Sequence, residues 1–213
     1  AGAGILRMEQ DAPLDADLRV SLAASDLLLA FPVDDPVLRH AVAGKSLALD
    51  ARVDGSLAQL YLRKLQLGMP GYIALLAQGN LQSVMSPDRL GGAVKLHGTF
   101  DRLGFLTSLL PDTALQQRLR IPDHLTLDGQ VQARGGALAP RIALTVGRQA
   151  RPQLTLSGLF DPHTQAYAAD LVCDSFPVRD FLPLDSLGLA TLSLKAGGTG
   201  LDPFAEAMQA EVG

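Results

Sequence analysis

The sequence has no tryptophan, and aromatic residues fill only 5% of its 213 positions. Any core must therefore be built from Leu, Val and Ala rather than from large rings. Cys173 is the single cysteine, which excludes an internal disulfide framework and a cysteine-ligated metal site. A lone Cys in a strand-like stretch reads as a small buried hydrophobe. Net charge is only −4 and there is no Lys/Arg stripe, so no nucleic-acid partner is expected. Apolar runs are as short as LLLAF (Leu27 to Phe31), far below the roughly 20 residues of a membrane-crossing helix. No signal-peptide pattern is present. The first residues, AGAGILRMEQ, and the last, EVG in what reads as mid-strand, are expected to be internal to a longer protein, with any membrane anchor outside this piece.

Catalytic patterns are missing as well. His40, His97, His124 and His163 show none of the HExxH, HxxxH or HxH spacings that bring two imidazoles to one metal. There is no GxSxG nucleophile elbow. AGKS (Ala43 to Ser46) resembles the end of a phosphate loop, but Arg39 stands where the loop needs its first glycine. LDARVDGSL lacks the alternating oxygen ligands of a calcium loop. Asp34, Asp35, Asp161 and Asp202 suit solvated turns. The expectation is a chain with no enzyme activity, no cofactor and no metal.

What is present is a period of two. In LALDARVDG (Leu47 to Gly55), Leu47, Leu49, Ala51 and Val53 alternate with Ala48, Asp50, Arg52 and Asp54. The pattern runs less cleanly through 60–68, and again through 94–100, 125–133, 141–147, 153–160, 167–174 and 189–198. Alternation of this length means a strand with one apolar and one polar face. About ten such strands, joined by short Gly-, Asp- and Pro-rich turns, predict a mostly β fold and a largely antiparallel sheet. No linker divides it, so residues 1–213 read as a single segment. Helical signals are few. Leu103, Leu106, Leu109 and Leu110 suggest a helix capped by Asp101 and ended by Pro111. Asp112 starts a second, with Leu115 and Leu119. SPDRLGG (Ser86 to Gly92) suits one turn with Pro87 first, and DDPVLRHAVAG (Asp34 to Gly44) a short helix ended by Gly44.

Glycine recurs at fixed places in these strands: Gly55, Gly79, Gly98, Gly129, Gly158 and Gly198, followed by Gly200, with steps of 24, 19, 31, 29 and 40 residues between the first six. Such an irregular period suits stacked strand pairs with loop insertions. Gly98, Gly129 and Gly158 fall in phase with the apolar set of their own strands. Glycine is unfavourable inside a strand, so its repeated use needs a reason. Removing side chains from the apolar face lets the sheet curl toward that face, and these three glycines are the expected curvature positions. The alternative is that each marks a bulge.

Four stretches carry a family resemblance. They are RHAVAGKSLALDARVDGSLAQLYLRKLQLGMPG, LRIPDHLTLDGQVQARGG, LTLSGLFDPHTQAYAADLVCDSF and SLKAGGTGLDPFAEAMQAEV, with GGTGLDP (Gly197 to Pro203) the most suggestive run. This pattern of strand, Gly-x-hydrophobic, Asp-Pro and renewed strand resembles the AsmA-like superfamily, in particular its TamB-type translocation and assembly module proteins. The motifs are loose but cover most of the chain. The resemblance implies a long folded-over sheet, the β-taco, with a continuous hydrophobic groove. It implies a periplasmic location in an inner-membrane-anchored protein, phospholipids as cargo, and an outer-membrane barrel partner engaged through other parts of the full-length chain. It implies no catalytic residues. The insert after Asp101 departs from a plain trough.

The expected groove lining is Leu96, Phe100, Leu125, Leu127, Val131, Ile142, Leu144, Leu154, Leu156, Phe160, Leu192 and Leu194. Acyl chains require only a water-free apolar surface, which such a lining provides. The competing expectation is a closed structural β-repeat serving as scaffold or interaction module, with a dry packed interior. Strand edges open to an incoming strand are a third.

Overall fold

The computed structural model describes residues 12–26, 36–110, 112–182, 188–199 and 209–212. The period of two becomes eleven strands. The first five are β1 (Leu14–Ala23), β2 (Ser46–Gly55), β3 (Gln59–Met69), β4 (Ile73–Gln82) and β5 (Gly91–Asp101). Then come β6 (His124–Arg134), β7 (Ala137–Val146), β8 (Leu154–Asp161), β9 (Ala166–Pro177), β10 (Leu189–Thr199) and β11 (Gln209–Val212). All lie in one antiparallel sheet in chain order, and β1 does not pair with β11. The fold is an open, curled, mostly β sheet with short helical inserts. Local chemistry explains the hairpins. Gly135 and Gly136, at φ 59° and 83°, make the two-residue turn between β6 and β7, whose twist matches that of the strands it joins.

β1 and β4 lie outside the stretches read above as strands, although Gly79 of β4 was placed among the strand glycines. β1 alternates as cleanly as any, with Leu14, Ala16, Leu18, Val20 and Leu22 against Asp15, Asp17, Arg19 and Ser21. β7 starts four residues before the expected Arg141, so Pro140 falls inside it. There the ladder to β8 lacks pairs at Ala139 and Pro140, because proline has no N–H to donate.

The inserts differ from expectation in detail. α1 (Pro36–Val42) ends at Gly44, whose φ of 68° suits a glycine terminator. The segment after Asp101 is not an α-helix capped by that residue. Asp101 closes β5, and its carboxylate lies 2.7 Å from His124 Nδ1. Arg102 precedes the turn in the left-handed region, and Leu103–Leu109 is a 3-10 helix. The physical reason is the spacing of three between Leu103, Leu106 and Leu109, which matches three residues per turn. Thr107 and Ser108 hydroxyls also donate to the Gly104 and Phe105 carbonyls at 2.8 Å. α2 (Thr113–Arg118) is capped as expected by Asp112, which accepts from Ala114 N at 2.7 Å. Leu115, expected to pack, is 48% exposed. Pro87 opens a 3-10 turn, Pro87–Arg89. Another short helix, α3, spans Val178–Phe181. The expectations placed on Leu27 to Phe31, Asp34, Asp35, Pro111, Gly200 and Asp202 lie outside the described residues.

Apart from the Pro87–Arg89 turn, which lies between β4 and β5 at the other margin, the inserts occupy one margin of the sheet, at the β1–β2, β5–β6 and β9–β10 connections. They touch one another along it. α1 packs on the 3-10 helix, which packs on α2. Arg120 N, just past α2, donates to the Phe181 carbonyl of α3 at 2.7 Å. α1 contributes Leu38 and Val42 to a buried cluster with Ala24 and Met69, and Leu47, Tyr72, Ile73 and Phe105 pack against it.

Candidate functional site

In an antiparallel sheet, residues directly opposite share a face. The register can therefore be followed from strand to strand. Leu18 on β1 faces Ala51, which faces Leu65, Ala77 and then Leu96. The line continues through Gly129, Ile142, Leu156 and Leu171 to Leu194 on β10. Ten strands are crossed without one polar side chain. At about 4.8 Å per strand this row is about 43 Å long. A parallel row runs through Leu67, Leu75, Gly98, Leu127, Leu144, Leu154, Cys173 and Leu192.

All twelve residues expected to line a groove fall on this face. Leu96, Ile142, Leu156 and Leu194 lie in the first row, and Leu127, Leu144, Leu154 and Leu192 in the second. Phe100 and Leu125 oppose each other toward the helical margin. Val131 opposes Val94 and Pro140, and Phe160 opposes Leu138 and Tyr167, toward the other margin. Eleven of them are half-buried, and Leu192 is 36% exposed. Burial alternates along the strands, as in β8, where Leu154, Leu156 and Gly158 are half-buried while Thr155, Ser157 and Leu159 are exposed. Cys173 is buried on the apolar face. The lining from β1 and β4 escaped sequence reasoning; Leu18 and Leu22 on β1 are exposed there at 50% and 44%.

The register does not shift at Gly98, Gly129 or Gly158, so none of them is a bulge, and Gly158 pairs with β9 where the β7–β8 ladder is interrupted. The irregularities lie at Arg52/Val53, Leu62/Leu65 and Ala190/Leu192. The three glycines are not equivalent. A Cβ on Gly158 would stand 2.7 Å from the Ala168 carbonyl oxygen on β9, closer than any side chain tolerates. Gly98 lies under the Phe100 ring, 3.0 Å from where its Cβ would be. Gly129 has ordinary room, 3.5 Å to the nearest atom, so its lack of a side chain is not needed for close approach. Gly79 and Gly92 are the tightest in-sheet positions; at Gly79 a Cβ would overlap the Ala93 carbonyl and Val94 Cα of β5.

The opposite face carries the charge. Lys64 holds Asp50 at 2.6 Å, and Arg63 holds Asp54 through two bonds of 2.6 and 2.8 Å. These hydrogen bonds keep both carboxyls below the usual carboxylate range, and Asp54 raises Arg63. His97 and Asp128 pair at 2.7 Å. Asp161 accepts from His163 N and the Thr164 hydroxyl in the β8–β9 turn, which lowers its pKa. Lys95, Asp128, Arg141 and Thr155 border shallow depressions on this face. Among the described residues no helix is long and apolar enough to cross a membrane, and no His/Cys/Asp/Glu cluster could hold a metal ion.

No family model, no curated protein and no solved structure matches this chain.

Proposed function

We propose that the apolar face is a path for phospholipid acyl chains, working as part of a longer protein between two membranes. The carrying observation is the row from Leu18 to Leu194, which crosses ten strands without a polar side chain. Half a bilayer's hydrocarbon thickness is roughly 15 Å, so a row of about 43 Å exceeds the reach of one acyl chain and suits passage along it. The lining is half-buried rather than sealed, so a guest chain would remove further apolar area from water at about 25 cal/mol per Å². Polar recognition is not needed for tails, and the strands place their charges on the other side. The TamB-type resemblance supplies the setting for this reading: a periplasmic segment, an inner-membrane anchor elsewhere, and assistance to outer-membrane protein assembly through a barrel partner.

The test is lipid content. The chain is purified gently from a double-membrane bacterial host, extracted with organic solvent, and phospholipid is quantified per chain. Stoichiometric phospholipid in the parent, lost in a folded Leu156→Glu variant, is the expected result. A folded parent free of lipid would favour a closed structural repeat.

A further inference from the structure

Tyr72 fills the short turn between β3 and β4, on the margin that carries the inserts. Its ring has two kinds of neighbour. It packs against the buried cluster of Ala24, Leu38, Val42 and Met69, and it meets the Phe105 ring edge-on at 6.0 Å. It also carries two cations. Lys45 Nζ lies 5.2 Å from its centroid and the Arg102 guanidinium carbon 4.9 Å. Both distances are within cation–π range.

The constellation is built rather than incidental. Arg102 holds a left-handed backbone, φ 51°, which non-glycine residues adopt rarely. Its N–H donates to the Asp123 carbonyl at 2.9 Å. Its side-chain Nε and Nη2 donate to the Gly71 carbonyl at 3.1 and 2.8 Å. Gly71 itself sits at φ 75°, and the Arg102 guanidinium fills the space a Cβ would need. Neither Lys45 nor Arg102 has a carboxylate within ion-pair distance among the described residues. Asp101, next in the chain, is already held by His124 at 2.7 Å. Two cations with no carboxylate partner among the described residues thus share one neutral ring at the border of a long apolar surface.

We propose that Lys45 and Arg102 bind the phosphate of a phospholipid whose acyl chains lie on the apolar face beside Leu47 and Ile73. This rests on the acyl-chain path proposed above and adds a headgroup station to it. A phospholipid needs its anionic group in a polar, cationic setting a short distance from an apolar surface. The Tyr72 ring touches both, packing against the cluster and carrying the two cations. Lys45 contributes a mobile point charge, and Arg102 keeps free donors beyond the two bonds to Gly71.

The test compares three probes on the 213-residue chain: dihexanoylphosphatidylglycerol, the neutral dihexanoylglycerol, and inorganic phosphate. Binding is followed by calorimetry for the parent, Lys45→Gln and Arg102→Gln. Charge-assisted hydrogen bonds predict that each variant weakens the phospholipid about tenfold to a hundredfold and leaves dihexanoylglycerol unchanged. Lys45→Gln removes no hydrogen bond shown here, so it keeps the test valid if Arg102→Gln unfolds. Equal binding of both lipids by parent and Lys45→Gln would overturn the station while leaving the acyl path standing. Inorganic phosphate binding as tightly as the phospholipid would overturn it in favour of a free-anion site. No binding of either lipid by the parent would remove the acyl path and the station together.

Discussion

The same strands present two faces with opposite rules. On one, ten strands in succession supply only Leu, Ile, Ala or Gly along a row, and register holds them there. On the other, Asp50 with Lys64, Asp54 with Arg63 and His97 with Asp128 pair across neighbouring strands on the solvent-facing side. A slip of one residue would exchange the two sets. The difference shows where the constraint on this sheet lies: the apolar face needs shape and absence of charge, whereas the polar face needs only solvation. Even Leu159 and Val172 stand on that outer face, exposed at 52% and 45%, so apolar residues are tolerated outside while polar residues are kept from the inner row.

The largest effect should come from filling Gly79. Gly79→Val would drive a side chain into the β5 backbone and cost at least about 3 kcal/mol. Gly129→Ala, on the same face with room to spare, should gain roughly 0.5 kcal/mol by restricting the unfolded chain. Urea unfolding of both variants checks this, and equal losses would contradict the unequal roles given to the two glycines. Leu38→Ala, on the buried side of α1 at 6% exposure, should cost about 2–3 kcal/mol. The same truncation at Leu159 on the outer face should cost well under 1 kcal/mol.

The smallest effect belongs to the outer ion pairs. Asp50 and Asp54 have folded pKa values below their unfolded ones. Their contribution is present above the ordinary carboxylate value of about 3.9 and is lost as pH falls through the lowered folded values. Both pairs are solvent-exposed, which limits their worth. In thermal melts, Asp50→Asn with Asp54→Asn should fall only slightly below the parent at neutral pH, and the gap should close as pH falls through the lowered folded values.

Much of this was legible because alternation reports directly which residues share a face. Leu125, Leu127 and Val131 could be assigned to one side from β6 alone, and register then extended the assignment. β1 carried the same signal in LDADLRVSLA and was overlooked. Space between strands is another matter. Gly79, Gly129 and Gly158 share a phase, yet only the neighbouring backbone distinguishes the crowded positions from the roomy one. The 3-10 helix was concealed because leucines at spacing three also suit an α-helix over two turns. Lys45, Tyr72 and Arg102 come from three different connections, and only strand pairing brings them onto one ring.

The central claim is that lipid meets one face and not the other. A photoreactive benzophenone residue placed at position 156 or at its neighbour 155, in the protein expressed in a double-membrane bacterial host, tests it most directly. Leu156 is on the inner row and Thr155 on the outer face. The account predicts a phospholipid adduct by mass spectrometry from position 156 and none from position 155. Equal adducts from both, or none from position 156 in a folded protein, would contradict it.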